Sequence, residues 1–375
     1  MGNFGTSVMW LKNLTLLNFK NYNAADLKFS STVNAFVGNN GAGKTNLLDA
    51  IHYLCLCKSY FNPIDSQQIK TGEDLFLVQG DFDKDEKNEK ISCGLKRNQK
   101  KSFKRNKKEY DKLADHVGLF PVVMISPYDI NIIMDGSEER RRFIDNVISQ
   151  TDSRYLDELI VYNKHLLNRN ALLKQVAATR TLDVALLQIL DEQLVNSGNI
   201  IFQKRKEFLL DFIPLFDQHY RFLTNEAEQV SLTYQSQLNE QPFETLLAQS
   251  IDKDRILERT TTGIHKDELQ FEIAQMPLKK FGSQGQQKSF LIALKLAQYS
   301  YLQKFKKFKP LLLLDDIFDK LDQHRIHKLM EMVSHHDFGQ IFITDTDKKR
   351  VKAVFDEINV GVDLFDVAEG SVANA

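Results

Sequence analysis

The chain has almost no cysteine: three in 375 residues, Cys55, Cys57 and Cys93. None forms a C-x-x-C pair, so neither a disulfide framework nor a zinc site is expected, and the usage fits a reducing cytosol. An excess of one charge is missing too. Lysine plus arginine number 49 against 50 for aspartate plus glutamate, so the molecule as a whole has no attraction for a polyanion and any nucleic-acid surface must be local. No run approaches the roughly 20 apolar residues that cross a bilayer, and the N-terminus lacks the basic-then-apolar pattern of a secretory signal. The expectation is a cytoplasmic protein with no membrane partner. The sequence also lacks internal repeats, low-complexity linkers and the three or four successive apolar heptads of a long coiled coil.

What is present supports sizeable cores. Hydrophobic residues make up 42% of the chain, and the length suggests two or three structural units. Residues Leu11 to Tyr22 and Leu27 to Val37 read as strands broken at Asn21-Tyr22-Asn23. Residues 75 to 110 alternate between apolar and polar and are cut by polar turns, the pattern of antiparallel strands. From about Glu138 to Gln249 helical spacing takes over, interrupted by Pro214 and Pro242. Strand character returns at 269 to 274, Leu311 to Leu314 and Ile341 to Ile343, with a helix between the last two.

Gly38-Asn39-Asn40-Gly41-Ala42-Gly43-Lys44-Thr45 fits G-x-x-x-x-G-K-[ST] and stands where the chemistry needs it, after an apolar strand and before an amphipathic helix. Glycines let the backbone turn its N–H groups toward phosphate oxygens, and the positive end of the next helix adds to that field. Lys44 would then reach the β- and γ-phosphates of a nucleotide, and the Thr45 hydroxyl would ligate Mg2+; the loop alone leaves kinases, GTPases and motors open. Far along the chain, Leu311 to Leu314 followed by Asp315-Asp316 has the form of a buried parallel strand with carboxylates at its C-terminal edge. Asp315 is the candidate magnesium acid. Asp316 is the candidate for orienting or deprotonating the attacking water.

Between the two motifs stands Ser283-Gln284-Gly285-Gln286-Gln287, opening another amphipathic helix. Ser283 would also serve as an ordinary helix cap. Placed before the paired acids, the segment resembles the signature motif of ABC-type ATPases in the form that the RecF family uses. Asn18-Phe19-Lys20-Asn21-Tyr22, Ser126-Pro127-Tyr128-Asp129, Gly136 to Asp145 with its run of arginines, Asn168-Arg169-Asn170 and Thr262-Gly263-Ile264-His265-Lys266-Asp267 resemble further elements of that family. Lys20, Tyr128 and Ser137 depart from its usual residues. Asp319-Lys320-Leu321-Asp322 is similar to the D-loop. Ile343-Thr344-Asp345-Thr346 falls at the switch position without the histidine of transporter ATPases, leaving Thr344 or Thr346 as the γ-phosphate sensor.

The resemblance implies an α/β fold, a P-loop ABC/SMC-like ATPase head with an inserted helical lobe and an antiparallel β subdomain. Its parts are expected at residues 1–135, 136–255 and 256–375. It further implies a weak DNA-stimulated ATPase that dimerises on ATP, Ser283, Gln284, Gly285 and Gln286 of one copy capping the γ-phosphate held by residues 38–45 of the other. Single- and double-stranded DNA at gaps would be clamped, the recombinase loaded with RecR and RecO partners, and replication restart and the SOS response served. Lys96, Arg97, Lys100, Lys101, Lys104, Arg105, Lys107 and Lys108 crowd one stretch; they can neutralise phosphates or simply guard a strand edge. A lone histidine such as His265 is more often structural than a ligand. Other classes are a membrane transporter's ATPase subunit, against which the missing switch histidine and the helical insert argue, and a chromosome-tethering SMC protein, against which the missing coiled coil argues.

Overall fold

In the computed structural model, which describes residues 9–179, 181–224, 228–320, 323–335 and 337–374, buried residues recur along Met9–Phe19 (β1) at the near-two spacing of a strand with one face on a core. The apolar segment expected as a single strand from Leu27 to Val37 is shared between two. Tyr22–Lys28 (β2) pairs antiparallel with β1, while Val33–Val37 (β3) enters a different sheet. The break is chemical: the Ser30 N–H donates to Asn34 Oδ1 at 2.9 Å and the Ser30 hydroxyl to the Val33 carbonyl, local bonds that replace ladder partners.

The alternating stretch forms the expected antiparallel strands, Leu75–Lys84 (β4), Lys87–Lys96 (β5), Ser102–Arg105 (β6) and Lys108–Glu109 (β7), in a sheet ordered β2-β1-β4-β5-β6-β7. A second sheet carries Val122–Ile125 (β8), Leu311–Leu314 (β12), Ile341–Asp345 (β13), Val362–Ala368 (β14) and Ser371–Asn374 (β15) in the order β15-β14-β3-β13-β12-β8. All its neighbours are parallel except β15. Every residue of β3, β8, β12 and β13 is buried, which is why these strands read as apolar runs without alternation. Helix Lys44–Leu56 (α1) packs against β4 and β5 of one sheet and β8 and β13 of the other, and is buried almost all round. The helices Ile317–Lys320 (α9), Gln323–Ser334 (α10) and Lys348–Glu357 (α11) complete this unit, which comprises Met1–Asp129 and Ile292–Ala375.

The second unit, Ile130–Leu291, is mainly helical: Asn131–Met134 (α2), Ser137–Thr151 (α3), Ser153–Thr179 (α4), Val184–Thr224 (α5), Phe243–Leu257 (α6), Leu278–Phe281 (α7) and the start of Gln284–Lys306 (α8). Pro214 does not break α5. Buried Phe208, Leu209, Phe212 and Phe216 pack the turns on both sides of it, so tertiary burial outweighs the lost N–H. The helical stretch also hides a strand, Val230–Gln235 (β9), which joins Glu268–Ile273 (β10) and Met276–Pro277 (β11) in a small antiparallel sheet.

Several of the family-like segments meet here as structure. Arg205 is 1% exposed and bonds Asp145 and Asp267, both at 2.9 Å. Arg169, wholly buried, bonds Asp191 and Asp254 at 2.6 Å. Removing one partner would strand a buried charge, at a cost on the order of 3–5 kcal/mol. His265 shares a 2.7 Å hydrogen bond with the Tyr162 hydroxyl, and burial lowers its pKa to about 4, so it is neutral at physiological pH.

Candidate nucleotide-binding site

Strand β3 leaves the carboxyl edge of the parallel sheet and passes through Gly38–Gly43 into α1, placing the loop where open α/β sheets bind ligands. Two glycines are dictated by space and dihedral together. Gly38 has φ 157° and a Cβ there would lie 2.1 Å from the Val367 carbonyl oxygen; Gly43 has φ 116° and a Cβ would lie 2.5 Å from Asn21 Nδ2. Gly43 caps α1 without a side-chain bond, so the first turn offers its N–H groups and dipole to an anion. Lys44 is 5% exposed, and its ammonium donates to the Gly38 and Asn39 carbonyls at 2.8 and 3.0 Å.

The acids that the sequence separates by 270 positions arrive beside this loop. Thr45 Oγ1 donates to Asp315 Oδ1 at 2.8 Å. One strand, β13, lies between β3 and β12 in the sheet, and its Thr344 bridges both acids. The Thr344 hydroxyl donates to Asp315 Oδ1 at 2.8 Å and accepts the Asp316 N–H at 2.9 Å. Asp316 sits at φ 47°, a left-handed conformation that a non-glycine holds only where its surroundings over-determine it. Of the two threonines proposed to sense the γ-phosphate, Thr344 is fully buried in this bridge and Thr346 is exposed. Sequence reasoning had no signal for the bridge, because only the sheet order brings β13 between the motifs.

Asp315 and Thr45 supply hard oxygens at one point, the donor set that Mg2+ takes when phosphates and water complete its shell. Among the described residues no group of three His, Cys, Asp or Glu could hold a metal by itself. Burial raises the pKa of the Asp315 carboxyl, against the opposing hydrogen bonds from Thr344 and Thr45. The folded chain therefore binds a proton there more tightly than the unfolded chain. This group's contribution to stability is present at pH below its unfolded value and is lost as pH rises through the folded one. A cation needs the carboxylate, so any Mg2+ held by this pair together with ATP is expected to be lost on acidification at a higher pH than from an unperturbed aspartate. Titrations with and without Mg2+ across pH check this, and Asp315→Asn should remove the dependence.

In the other unit Ser283 is exposed and opens α8 with a reciprocal cap. Its N–H donates to Gln286 Oε1 at 2.7 Å, and the Gln286 N–H donates to Ser283 Oγ at 3.2 Å. Gln286 Nε2 also donates to Glu228 Oε1 at 2.9 Å. Gln284 is exposed and Gly285 half-buried. Of the D-loop-like segment, Leu321 and Asp322 lie outside the described residues. The basic stretch does not form one exposed patch, and Lys104 is half-buried. Lys101 is held by Asp65 at 2.7 Å and Arg105 by Glu89 at 2.5 Å, whereas Lys96, Arg97, Lys100, Lys107 and Lys108 are exposed. All three cysteines are buried free thiols, and burial raises the pKa of each, that of Cys57 to about 12.

A family model described as RecF/RecN/SMC N terminal domain matches residues 10–367. A protein of Flavobacterium johnsoniae named DNA replication and repair protein RecF is 52% identical over 359 residues, 96% of this chain and 100% of that one. Its namesake in Parabacteroides distasonis is 50% identical over 364 residues, 97% and 99% of the two chains. Among solved structures, that of the recombination mediator protein RecF-ATP in the RecFOR pathway matches with a TM-score of 0.91 at 30% identity, covering 100% of both chains.

Proposed function

The chain belongs to the RecF family of DNA replication and repair proteins, within the ABC/SMC-type ATPases, and from that premise we propose that it binds DNA under the control of ATP. It dimerises on ATP, clamps DNA at single-strand gaps, and with RecR- and RecO-type partners promotes recombinase loading, replication restart and SOS induction. The observation that carries the reading is the 2.8 Å contact of Thr45 with Asp315, which supports a triphosphate site built on the glycine loop and the acids after β12.

The loop and the N-terminus of α1 would hold the phosphates, with Lys44 turning from the Gly38 and Asn39 carbonyls to the β- and γ-phosphates. Thr45 and Asp315 would hold Mg2+, which neutralises charge on the phosphates. Asp316, fixed through its N–H by Thr344, would orient the attacking water and accept its proton. Ser283 and the N-terminus of α8 from a second copy would meet the γ-phosphate, so that hydrolysis releases the dimer. Weak hydrolysis stimulated by DNA suits a clamp that must persist on its site. The exposed lysines at 96, 100, 107 and 108 suit a phosphate backbone.

Asp316→Asn tests this. The amide cannot take the proton, so ATP turnover is expected to fall by at least about 100-fold while ATP binding stays near the parent's. Light scattering should then find the ATP-bound dimer persisting for far longer than the parent's. Parental turnover in this variant would remove Asp316 from its role.

A further inference from the structure

We infer that Asn21, in the two-residue turn between β1 and β2, is a positioning residue that holds the phosphate loop in its anion-binding form from outside. The inference rests on the reading of residues 38–45 as an ATP site. A loop that turns N–H groups toward an anion turns carbonyls away from it, and each buried carbonyl needs a donor. The structure supplies them. Ala42 O accepts from Asn21 Nδ2 at 3.0 Å and from the Gly370 N–H at 3.1 Å, and Gly43 O accepts from the Tyr22 hydroxyl at 3.0 Å. Lys44, which fills the same role at Gly38 and Asn39, is drawn to phosphate when ATP binds. Asn21, Tyr22 and Gly370 stay.

Asn21 is committed at both ends of its amide, since its Oδ1 accepts from Asn46 Nδ2 at 2.7 Å on the first turn of α1. It ties the loop to the helix that the loop begins. Two residues beside it adopt left-handed conformations, Asn18 near the end of β1 at φ 51° and Lys20 in the turn itself at φ 52°. Lys20 is locked by an ion pair with buried Asp49 at 2.5 Å and by its N–H to the Gln68 carbonyl at 2.8 Å. Lys70 adds two bonds, its N–H to Asn18 O at 2.9 Å and its ammonium to Asn21 O at 3.0 Å. Strain over-determined in this way collects where a group must be held in place. The Gly43 position records the same contact from the other side, since any Cβ there would strike the Asn21 amide.

The experiment compares the parent, Asn21→Ala, Asn21→Asp, Asn46→Ala and Lys44→Ala by calorimetry with Mg·ATP and with tripolyphosphate, and by thermal unfolding without nucleotide. Asn21→Ala is expected to weaken both ligands by about tenfold, because the loop loses its tie to the first turn of α1 and Ala42 O keeps only the Gly370 N–H. Asn21→Asp, with an acceptor facing Ala42 O and a negative charge near the phosphates, should weaken them further. Asn46→Ala, acting only through Asn21, should give a smaller loss that does not add to that of Asn21→Ala. Without nucleotide Asn21→Ala should unfold a few degrees below the parent, since two hydrogen bonds are lost, but it stays folded at the titration temperature, so a merely structural role would leave both affinities at the parent's. Parental affinities in both Asn21→Ala and Asn46→Ala would overturn the inference, as would a loss for ATP with none for tripolyphosphate, which would make Asn21 a contact to base or ribose. Failure of the parent itself to bind either compound, in parallel with Lys44→Ala, would instead sink the ATP reading on which this one stands.

Discussion

Lys44→Ala is expected to lose ATP binding by at least about 100-fold, and with it every ATP-dependent property of the chain. Lys44 is 5% exposed and its ammonium donates to two loop carbonyls at 2.8 and 3.0 Å, so it already lies across the loop that would hold the phosphates. Hydrogen bonds to a charged partner contribute roughly 1.5–3 kcal/mol each, and a lysine on two phosphates makes at least two. A competing effect has to be separated. Alanine also takes a donor from the Gly38 and Asn39 carbonyls, which could loosen the loop before any ligand arrives. Thermal unfolding without nucleotide reads that effect alone, and calorimetric titration with Mg·ATP reads the sum. A variant that unfolds like the parent and binds ATP like the parent would remove Lys44 from the site.

The second large effect is expected at Ser283→Asp. Ser283 is exposed and its hydroxyl accepts the Gln286 N–H at 3.2 Å as the cap of α8. Aspartate caps as well as serine, so the helix and the fold should be retained. What changes is chemistry at the proposed seam. A hydroxyl that can donate to a γ-phosphate becomes a carboxylate that repels it, and like charges brought together across an interface cost several kcal/mol. ATP affinity of the isolated chain should therefore lie within a few-fold of the parent's, while ATP-dependent dimerisation weakens by about 100-fold or more. Sedimentation with and without ATP checks the split. Equal loss of both would mean that Ser283 serves the nucleotide of its own chain.

The parts of this architecture that were legible are those written locally. The glycine loop, the apolar run ending in Asp315-Asp316 and the alternation of residues 75–110 each carry their geometry in short stretches, and the structure places each where such a stretch should be. What was illegible depends on pairing between distant segments. Val122–Ile125 is four apolar residues that earn strand status only because β12 lies beside it. Val230–Gln235 needs β10 as its partner, and Pro214 is tolerated because four buried side chains hold the helix around it. Thr344 was named at the switch position, but its bridge between Asp315 and Asp316 follows from the order of three strands. The basic stretch read as one patch, whereas Lys101 and Arg105 have carboxylate partners that no spacing rule would identify.

The composite site is tested most directly by mixing two disabled chains, Lys44→Ala and Ser283→Asp, and measuring mass by light scattering with ATP. Neither should dimerise alone. Together they should, because a mixed pair contains one site with an intact loop from one chain facing an intact Ser283 from the other. A mixture that remains as monomeric as its components, while the parent dimerises, would contradict a triphosphate shared between two copies.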